Sequence, residues 1–185
     1  MLVLASQSPR RREILHQAGI PFLVRAAPVD ETARPGEGPV DYVRRLAALK
    51  ARAVSPSAGE IVLGADTTVV VGNEMLGKPA SPEDASGMLR RLSGRRHEVI
   101  TGICLHGPVE SLCDHAVTAV WFAGMTANEI ADYVASGEPM DKAGAYGIQG
   151  LAAKFIERID GCYFNVVGLP VALLYMHLRR LTPTP

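Results

Sequence analysis

Apolar and polar positions follow one another along the chain in blocks that predict a mixture of strands and helices. Short runs rich in β-branched residues predict strands, and apolar residues spaced three or four apart predict amphipathic helices. The predicted strands are Leu2–Ala5, Phe22–Ala26, Glu60–Val71, Glu74–Leu76, His97–His106, Ser111–Phe122 and Ala153–Ile159. The predicted helices are Pro9–Ala18, Val40–Val54, Pro82–Leu92, a helix that follows Thr126, and Val166–Leu181. Since these elements do not alternate strictly as βαβ units, we expect an α/β fold with a mixed, twisted sheet.

Turn and capping residues set the boundaries of these elements. Ser8 stands at the N-cap of the first predicted helix, with Pro9 at its first position. Gly107-Pro108 predicts the turn that joins two strands in a hairpin. Thr126 and Glu129 have the spacing of a capping box, which predicts that a helix begins there.

Length and composition favour one domain and argue against two classes of partner. The 185 residues, 48% of them hydrophobic, predict a single domain over residues 1–181 with a frayed tail at 182–185. A net charge of zero argues against nucleic acid as a partner. The chain has no apolar run long enough for a bilayer and no pattern of an export signal, so we expect a cytoplasmic protein without a membrane partner.

The cysteines give a weak signal. Three cysteines are an odd number, which argues against a disulfide framework and fits a reducing cytoplasm. Cys104 and His106 lie on one predicted strand, and Cys113 and His115 on the next, so that 104 could face 113. A zinc site built from these pairs is a minor alternative, because C-x-H is not the usual ligand spacing.

Arginines crowd the first turn of the first predicted helix. Arg10, Arg11 and Arg12 stand where the helix already carries partial positive charge, which is an unfavourable placement. Backbone N–H groups, the Ser6 hydroxyl and guanidinium groups converging on phosphate would explain it. The alternative is that the arginines are solvated and tolerated, and we rank phosphate binding above it.

Two carboxylates are candidates for chemistry. Asp66 follows a strongly apolar run, and an unpaired buried carboxylate there would cost several kcal/mol. It therefore ends a strand, pairs with a cation or binds a metal, unless it merely caps the turn after Gly64. Glu31 lies in an acidic loop, where it is either solvated or a second carboxylate for a divalent ion such as Mg²⁺.

Two lysines and one loop complete the candidates. Lys50 lies on the helix predicted at 40–54, where a solvated position is the plain alternative. Lys78 follows a glycine in a turn, where the backbone can approach a ligand closely. The loop at 137–150 contains four glycines and Gln149, whose amide can read the edge of a base. Tyr146 alternates with these glycines, which favours a packed binding loop over a plain surface loop.

Several motifs together resemble one known family. No GxxxxGK[ST], GxGxxG or HExxH motif occurs in the chain. The motifs that do occur are Ala5-Ser-Gln-Ser-Pro-Arg-Arg11, Gly64-Ala-Asp-Thr67, Leu76-Gly-Lys-Pro79, the segment 93–102, the segment 141–150 and Gly168-Leu-Pro170. In this order they resemble the Maf family of nucleoside triphosphate pyrophosphatases, and they cover nearly the whole chain.

The resemblance implies a fold, a reaction and a set of site residues. The implied fold is that of inosine triphosphate pyrophosphatases, with a mixed sheet and two lobes around a deep cleft. The implied reaction hydrolyses a nucleoside triphosphate to the monophosphate and pyrophosphate, with Mg²⁺ or Mn²⁺ held by Glu31 and Asp66. Asp66 is the implied proton acceptor. The implied phosphate and metal pocket consists of Ser6, Arg11, Glu31, Lys50 and Lys78.

The resemblance also implies a substrate preference. Positions matching Arg10, Thr67 and Gln149 are associated with substrate choice in the family. Members that act on dTTP and UTP carry Arg, Thr and Gln there, as this chain does. The branch acting on 7-methyl-GTP tends to carry Trp after Ser-Pro and Glu in place of the Gln. Cys162 departs from the small hydroxyl residue that is frequent in the family, at a position without an assigned role.

Two other functions are left open at this point. In the first, the chain is a nucleotide-binding regulatory protein of septum formation that acts through a partner. In the second, segments 10–12 and 90–96 bind nucleic acid, but the zero net charge and the few aromatic residues argue against this. A homodimer and the acceptance of modified pyrimidine nucleotides are also left open.

Overall fold

A computed structural model describes residues 1–107 and 110–181 of the chain. Its strands are β1 (Leu2–Leu4), β2 (Phe22–Val24), β3 (Ile61–Val71), β4 (Glu74–Leu76), β5 (Arg96–His106), β6 (Ser111–Phe122) and β7 (Ile156–Asp160). Its α-helices are α1 (Pro9–Gln17), α2 (Pro39–Arg52), α3 (Pro82–Leu92), α4 (Ala127–Ala135), α5 (Tyr163–Val167) and α6 (Val171–Leu181). Short 3₁₀ helices cover Glu138–Asp141, Ala143–Ala145 and Leu151–Phe155.

The strands form a mixed sheet, which confirms the predicted fold class. Among the described residues, seven strands take part, in the order β2-β1-β3-β5-β6-β7, with β4 paired to β3. β1 is parallel to both β2 and β3, whereas β3–β4 and β6–β7 are antiparallel pairs. None of the described helices is long and apolar enough to cross a membrane.

The chain divides into two compact units. The first contains Met1–Thr67, Thr101–Ala116 and the chain from Gly168 onward, and the second contains Thr68–Ile100 and Val117–Val167. The single domain over residues 1–181 stays a prediction. The predicted tail at 182–185 and Pro108 of the predicted hairpin turn lie outside the described residues.

Local signals place the helix starts well. Ser81 caps α3 by accepting a hydrogen bond from the Asp84 N–H, and Thr126 and Glu129 form the predicted capping box of α4. Ser8 is the N-cap residue of α1, but its side chain makes no capping hydrogen bond. The Ser8 N–H instead donates to the Ser6 hydroxyl at 3.3 Å.

Two predicted elements near the C-terminus differ from the structure. The strand predicted from Ala153 begins only at Ile156, because Leu151–Phe155 forms a 3₁₀ helix. Its threefold repeat buries Ala152 and Phe155 together in the core of the second unit. The closing helix predicted from Val166 is two helices, since Gly168 has φ of 124° and Pro170 follows it.

The cysteines also differ from the expectation. Cys104 and Cys113 form a disulfide, whereas Cys162 is free. The odd number of cysteines argued against a disulfide. The pair forms because β5 and β6 are neighbours in the sheet and bring the two residues opposite each other. Among the described residues, no group of three or more His, Cys, Asp or Glu side chains could hold a metal ion, so the zinc alternative has no ligand set.

Helix α2 packs with its backbone directly on the sheet of the first unit. A Cβ atom built on Gly64 would lie closer than 3.0 Å to the Ala47 carbonyl oxygen, and one built on Gly102 would crowd the Val43 carbonyl in the same way. Ala47 and Ala51 are small residues of α2 that are fully buried in this contact. The two glycines therefore fix the distance between α2 and strands β3 and β5.

We expect Gly64→Ala to destabilise the protein because the new methyl group must push α2 away from β3. The free energy of unfolding should fall by about 1–3 kcal/mol, as for other overpacked cores. Gly87→Ala is the matched control, since a Cβ there has no atom within 4 Å and Gly87 lies inside α3. That control should raise the free energy of unfolding by about 0.4–1 kcal/mol. Urea denaturation measures both, and equal effects would contradict the close contact.

Candidate active site

Arg11 is a buried guanidinium held by three oxygens of the first unit. It lies on α1, and only 8% of the residue is exposed. Its Nε donates to the Gly168 carbonyl at 2.8 Å, and its two terminal nitrogens donate to the Ser6 and Thr67 hydroxyls at 3.1 Å each. These bonds fix the plane of the guanidinium and tie α1 to the end of β1, to β3 and to the residue that separates α5 from α6.

Asp66 and Lys50 form a largely buried ion pair in the same unit. Asp66 lies on β3, and its Oδ1 is 2.6 Å from the Nζ of Lys50 near the end of α2. Glu31 contacts the same ammonium group, with 2.8 Å between its Oε1 and Nζ. The Glu31 side chain is half exposed, whereas only 10% of the Asp66 side chain is exposed. One lysine thus joins a buried carboxylate to an exposed one.

Burial sets the electrostatics of this cluster. Desolvation raises the pKa of Asp66 above its ordinary value and outweighs the opposite effect of Lys50 and Arg11. Desolvation also lowers the pKa of Arg11, and the charge of Arg10 beside it acts in the same direction, while Asp66 counteracts both. Arginine nevertheless stays protonated, since its ordinary value lies far above neutral pH. Asp66 is therefore a carboxylate whose affinity for a proton is increased by its surroundings.

Side chains of α2 hold the loop that carries Glu31. The Tyr42 hydroxyl donates to the Glu31 carbonyl at 3.0 Å, and Arg45 donates to the Thr32 carbonyl at 3.1 Å. Arg45 also pairs with Glu37 through two hydrogen bonds of 2.5 and 2.6 Å, which lower the pKa of Glu37 to about 2. The acidic loop is therefore fastened to the same helix that carries Lys50.

Three participants in this geometry were missed at the level of single residues. Thr101 lies 3.0 Å from Thr67, hydroxyl oxygen to hydroxyl oxygen, and Gly168 supplies the carbonyl for Arg11. Tyr42 fixes the Glu31 backbone. Thr101 and Gly168 fall inside two of the family motifs, which could have pointed to them. Tyr42 lies in a sequence typical of an amphipathic helix, which gives no signal of its contact with Glu31.

The structure brings six of the predicted residues together in the first unit. Direct hydrogen bonds or ion pairs join them in two sets, Ser6–Arg11–Thr67 and Glu31–Lys50–Asp66. Arg10 is half-buried beside Arg11, and Arg12 is exposed. Lys78 and Gln149 are exposed residues of the second unit.

Lys78 and Gln149 belong to segments that contact each other within the second unit. The Gly77 carbonyl, next to Lys78, accepts a hydrogen bond from the Gly144 N–H at 3.0 Å. Tyr146 of the same loop is buried, and its hydroxyl lies 2.8 Å from His97 Nε2. The loop is thus packed through Tyr146, as its sequence predicts. Desolvation of His97 lowers its pKa to about 4, so that this histidine is neutral at physiological pH.

The residues of the first unit suit a hard divalent cation. Carboxylate oxygens are the protein ligands that Mg²⁺ and Mn²⁺ prefer. Glu31 and Asp66 lie close enough to share one ammonium group, and the exposed side of Glu31 opens toward solvent. Mg²⁺ commonly takes only one or two carboxylates and completes its shell with water and substrate phosphate. This pair of carboxylates therefore fits such a cation.

Comparison with known families and curated proteins places the chain among enzymes of one kind. A family model described as "Maf-like protein" matches residues 1–181. A dTTP/UTP pyrophosphatase of Symbiobacterium thermophilum is 57% identical over 171 residues, which are 92% of this chain and 88% of that protein. A dTTP/UTP pyrophosphatase of Koribacter versatilis is 51% identical over 180 residues, which are 97% and 93% of the two chains.

Solved structures support the fold. The Ham1 protein of Staphylococcus aureus matches with a TM-score of 0.56 at 17% identity, over 98% of this chain and 99% of that one. A HAM1 protein from Coxiella burnetii matches with a TM-score of 0.54 at 20% identity, over 97% and 98% of the chains. At these identities the likeness concerns the fold alone.

We expect Arg11→Lys to destabilise the protein although the charge is kept. One ammonium group cannot reach the three oxygens that the guanidinium fork holds, so buried hydroxyl and carbonyl groups lose their partner. The free energy of unfolding should fall by about 1–3 kcal/mol. Arg12→Lys is the matched control at the next, exposed position and should change it by less than about 0.5 kcal/mol. Denaturant titration distinguishes the two variants. If Arg11→Lys left the free energy of unfolding unchanged, the three hydrogen bonds of the guanidinium would not contribute to stability, which would contradict this prediction.

Proposed function

Because the chain belongs to the Maf family, we propose that it is a nucleoside triphosphate pyrophosphatase that hydrolyses dTTP and UTP. The products are the nucleoside monophosphate and pyrophosphate. The observation that carries the proposal is the buried Asp66 carboxylate, which pairs with Lys50 and is favoured as an anion by the charge of Arg11, while the half-exposed Glu31 contacts the same ammonium group. The relatives named dTTP/UTP pyrophosphatase, at 57% and 51% identity, support the same substrates.

Charge neutralisation is the first task of the site. A guanidinium has five N–H donors, and Arg11 gives three of them to oxygens of the protein among the described residues. The other two can bind a phosphate oxygen in the plane that those three bonds fix. Lys50 adds an ammonium group, and Ser6 adds a hydroxyl beside the N-terminus of α1. We assign these three residues to the triphosphate.

Activation of water is the task of Asp66. Its raised pKa makes it a stronger base than an ordinary aspartate, while Lys50 and Arg11 favour its ionised form. When substrate phosphate competes for Lys50, the Oδ1 that now contacts the ammonium can accept a proton from water instead. That water attacks the α-phosphorus, the bond from the α-phosphorus to the bridging oxygen breaks, and pyrophosphate leaves.

A divalent cation, Mg²⁺ or Mn²⁺, fits Glu31 and Asp66. When bound, it supplies positive charge that stabilises the pentacoordinate transition state and the leaving pyrophosphate. The loop contacts of Tyr42 and Arg45 then hold the Glu31 oxygens beside α2. Positioning and charge stabilisation account for most of the catalysis in this assignment.

Choice of the base is assigned to Arg10, Thr67 and Gln149, in line with the family resemblance. Thr67 already accepts from Arg11 and contacts Thr101, so it is fixed in orientation. Gln149 is exposed at a turn of the second unit, where its amide can bond a pyrimidine edge. Lys78, also exposed, is assigned to the phosphates.

Three broader properties complete the proposal. Residues 1–181 act as one catalytic domain, as the extent of the family match supports. The location is cytoplasmic because the substrates are cellular nucleotides. A disulfide such as Cys104–Cys113 is disfavoured in a reducing cytoplasm, so that the cysteines do not support the location. A homodimer stays a prediction. A regulatory role without catalysis is not favoured, because the relatives are named as pyrophosphatases.

The experiment that tests the proposed function is a panel of ribo- and deoxynucleoside triphosphates with Mg²⁺ or Mn²⁺, in which pyrophosphate and orthophosphate are measured separately. We expect pyrophosphate release from dTTP and UTP, much slower release from purine nucleotides, and loss of turnover with a chelator. Release of orthophosphate alone, or no turnover with either metal, would contradict the proposal.

We expect Asp66→Asn to lower kcat by about 10²–10⁴-fold, since that is the usual cost of losing a general base. The raised pKa means that the folded protein binds this proton more tightly than the unfolded chain, so ionised Asp66 opposes folding once the pH exceeds that pKa. Removing the charge should therefore leave thermal stability at neutral pH nearly unchanged or raise it. Enzyme assays and thermal melts measure the two effects.

The pH profile gives an independent check of the same residue. In the unmodified protein kcat/KM should fall on the acid side with an apparent pKa above 3.8, the ordinary value for aspartate. The residual activity of Asp66→Asn should lack that acidic limb. A variant that keeps most of the activity, or the same limb, would remove Asp66 from the mechanism.

A further inference from the structure

Gln149 lies in a tight turn of the second unit. The Gly150 N–H donates to the Gly147 carbonyl at 3.2 Å, so residues 147–150 form a four-residue turn with Gln149 at its third position. Gln149 itself is exposed. An exposed amide at a turn reads a ligand selectively only when the turn is held in one conformation, and the contacts that hold it decide its precision.

Tyr133 and Glu138 hold this turn at both of its ends. The Gly147 N–H donates to the Tyr133 hydroxyl at 3.3 Å, and the Leu151 N–H donates to Glu138 Oε2 at 3.0 Å. The Tyr133 hydroxyl in turn donates to Glu138 Oε1 at 2.8 Å. The two side chains are thus one hydrogen-bonded unit that clasps the turn from either side, and we call this pair the turn clamp.

Close packing leaves little room for the clamp to move. A Cβ atom on Gly150 would lie closer than 3.0 Å to both carboxylate oxygens of Glu138, and one on Gly147 would come as close to the aliphatic chain of Lys142. The Lys142 ammonium donates to the Glu138 carbonyl at 2.6 Å and to Asp141 at 2.7 Å. The glycines therefore let the turn lie directly on the clamp.

Helix α4 supplies the rigid base of the clamp. Tyr133 is 4% exposed and belongs to the hydrophobic core of the second unit, where its ring packs edge-on against Phe155. Burial, and then the hydrogen bond to Glu138, raise the pKa of Tyr133 far above its ordinary value. The hydroxyl therefore keeps its proton at neutral pH, where it donates to Glu138.

We propose that Tyr133 and Glu138 are positioning residues for nucleotide selection, which hold the turn so that the Gln149 amide meets the base edge in one orientation. The inference rests on the proposed function, since it assumes that Gln149 contributes to the choice of base. The clamp touches neither phosphate nor metal in this assignment. Its loss therefore weakens discrimination between bases and binding of the preferred ones, and leaves the chemical step to Asp66.

The test uses Tyr133→Phe, which removes one hydroxyl and keeps the ring in the core. We expect the ratio of kcat/KM for dTTP over dGTP to fall about tenfold or more, because small displacements of a positioning group have effects of this size or larger. The change should lie mainly in a higher KM for dTTP and UTP, with kcat changed less than about twofold. Glu138→Gln, which keeps one acceptor oxygen, should give a smaller loss in the same direction.

A double-mutant cycle with Gln149→Ala separates positioning from general weakening. If the clamp acts through Gln149, then Tyr133→Phe should cause no further loss of discrimination in the Gln149→Ala protein. Glu129→Ala is the matched control, since it removes the capping-box carboxylate of α4, which does not contact the turn. It should lower the melting temperature and leave the dTTP over dGTP ratio unchanged.

The outcomes distinguish this inference from the function on which it rests. If the unmodified protein releases no pyrophosphate from dTTP or UTP, the proposed function fails and the selection role fails with it. If the unmodified protein is active but Tyr133→Phe keeps its discrimination, or adds its loss to that of Gln149→Ala, the inference alone is overturned. Amide exchange gives a readout besides activity: faster exchange at Gly147 in Tyr133→Phe supports the clamp, and unchanged exchange overturns it.

Discussion

Helix α2 lies with its backbone against β3 and β5, and the geometry of the candidate site depends on this contact. Gly64 and Gly102 offer no side chain to the helix, so that Ala47 and Val43 carbonyls approach the strands directly. The same helix carries Lys50 to Asp66 and fastens the acidic loop of Glu31. A helix held farther out by side chains would lengthen each of these contacts together. Two glycines in strands thus set the distances among charged groups.

The charges of the site are balanced around a buried carboxylate. Asp66 is buried and would be costly as an isolated anion, whereas Lys50 and Arg11 favour its ionised form. Arg11 is in turn held by hydroxyl and carbonyl oxygens from three separate parts of the chain. In the proposed function, a fixed guanidinium and a fixed carboxylate would need little rearrangement when a phosphate binds, which is the condition for electrostatic catalysis.

Local patterns in the sequence predict elements and candidate residues, but not the contacts between distant segments. The apolar run before Asp66 predicts a strand end, a cation partner, a metal or a turn cap, and it does not choose among them or point to Lys50. The misplaced arginines indicated an unusual helix start, but nothing local shows that Arg11 bonds Gly168, 157 residues away. The Cys104–Cys113 disulfide escaped prediction for another reason, since 104 was expected to face 113 but the odd number of cysteines argued against a disulfide. Family motifs supplied the set of residues, and the tertiary packing supplies their pairing.

The account centres on attack by water at the α-phosphorus, and isotope labelling tests that step most directly. The unmodified protein is supplied with dTTP and Mg²⁺ in water enriched in ¹⁸O, and the products of a single turnover are weighed by mass spectrometry. Attack at the α-phosphorus places one ¹⁸O atom in dTMP and none in pyrophosphate, which is the predicted result. Label in pyrophosphate or in orthophosphate would mean attack at another phosphorus and would contradict the account.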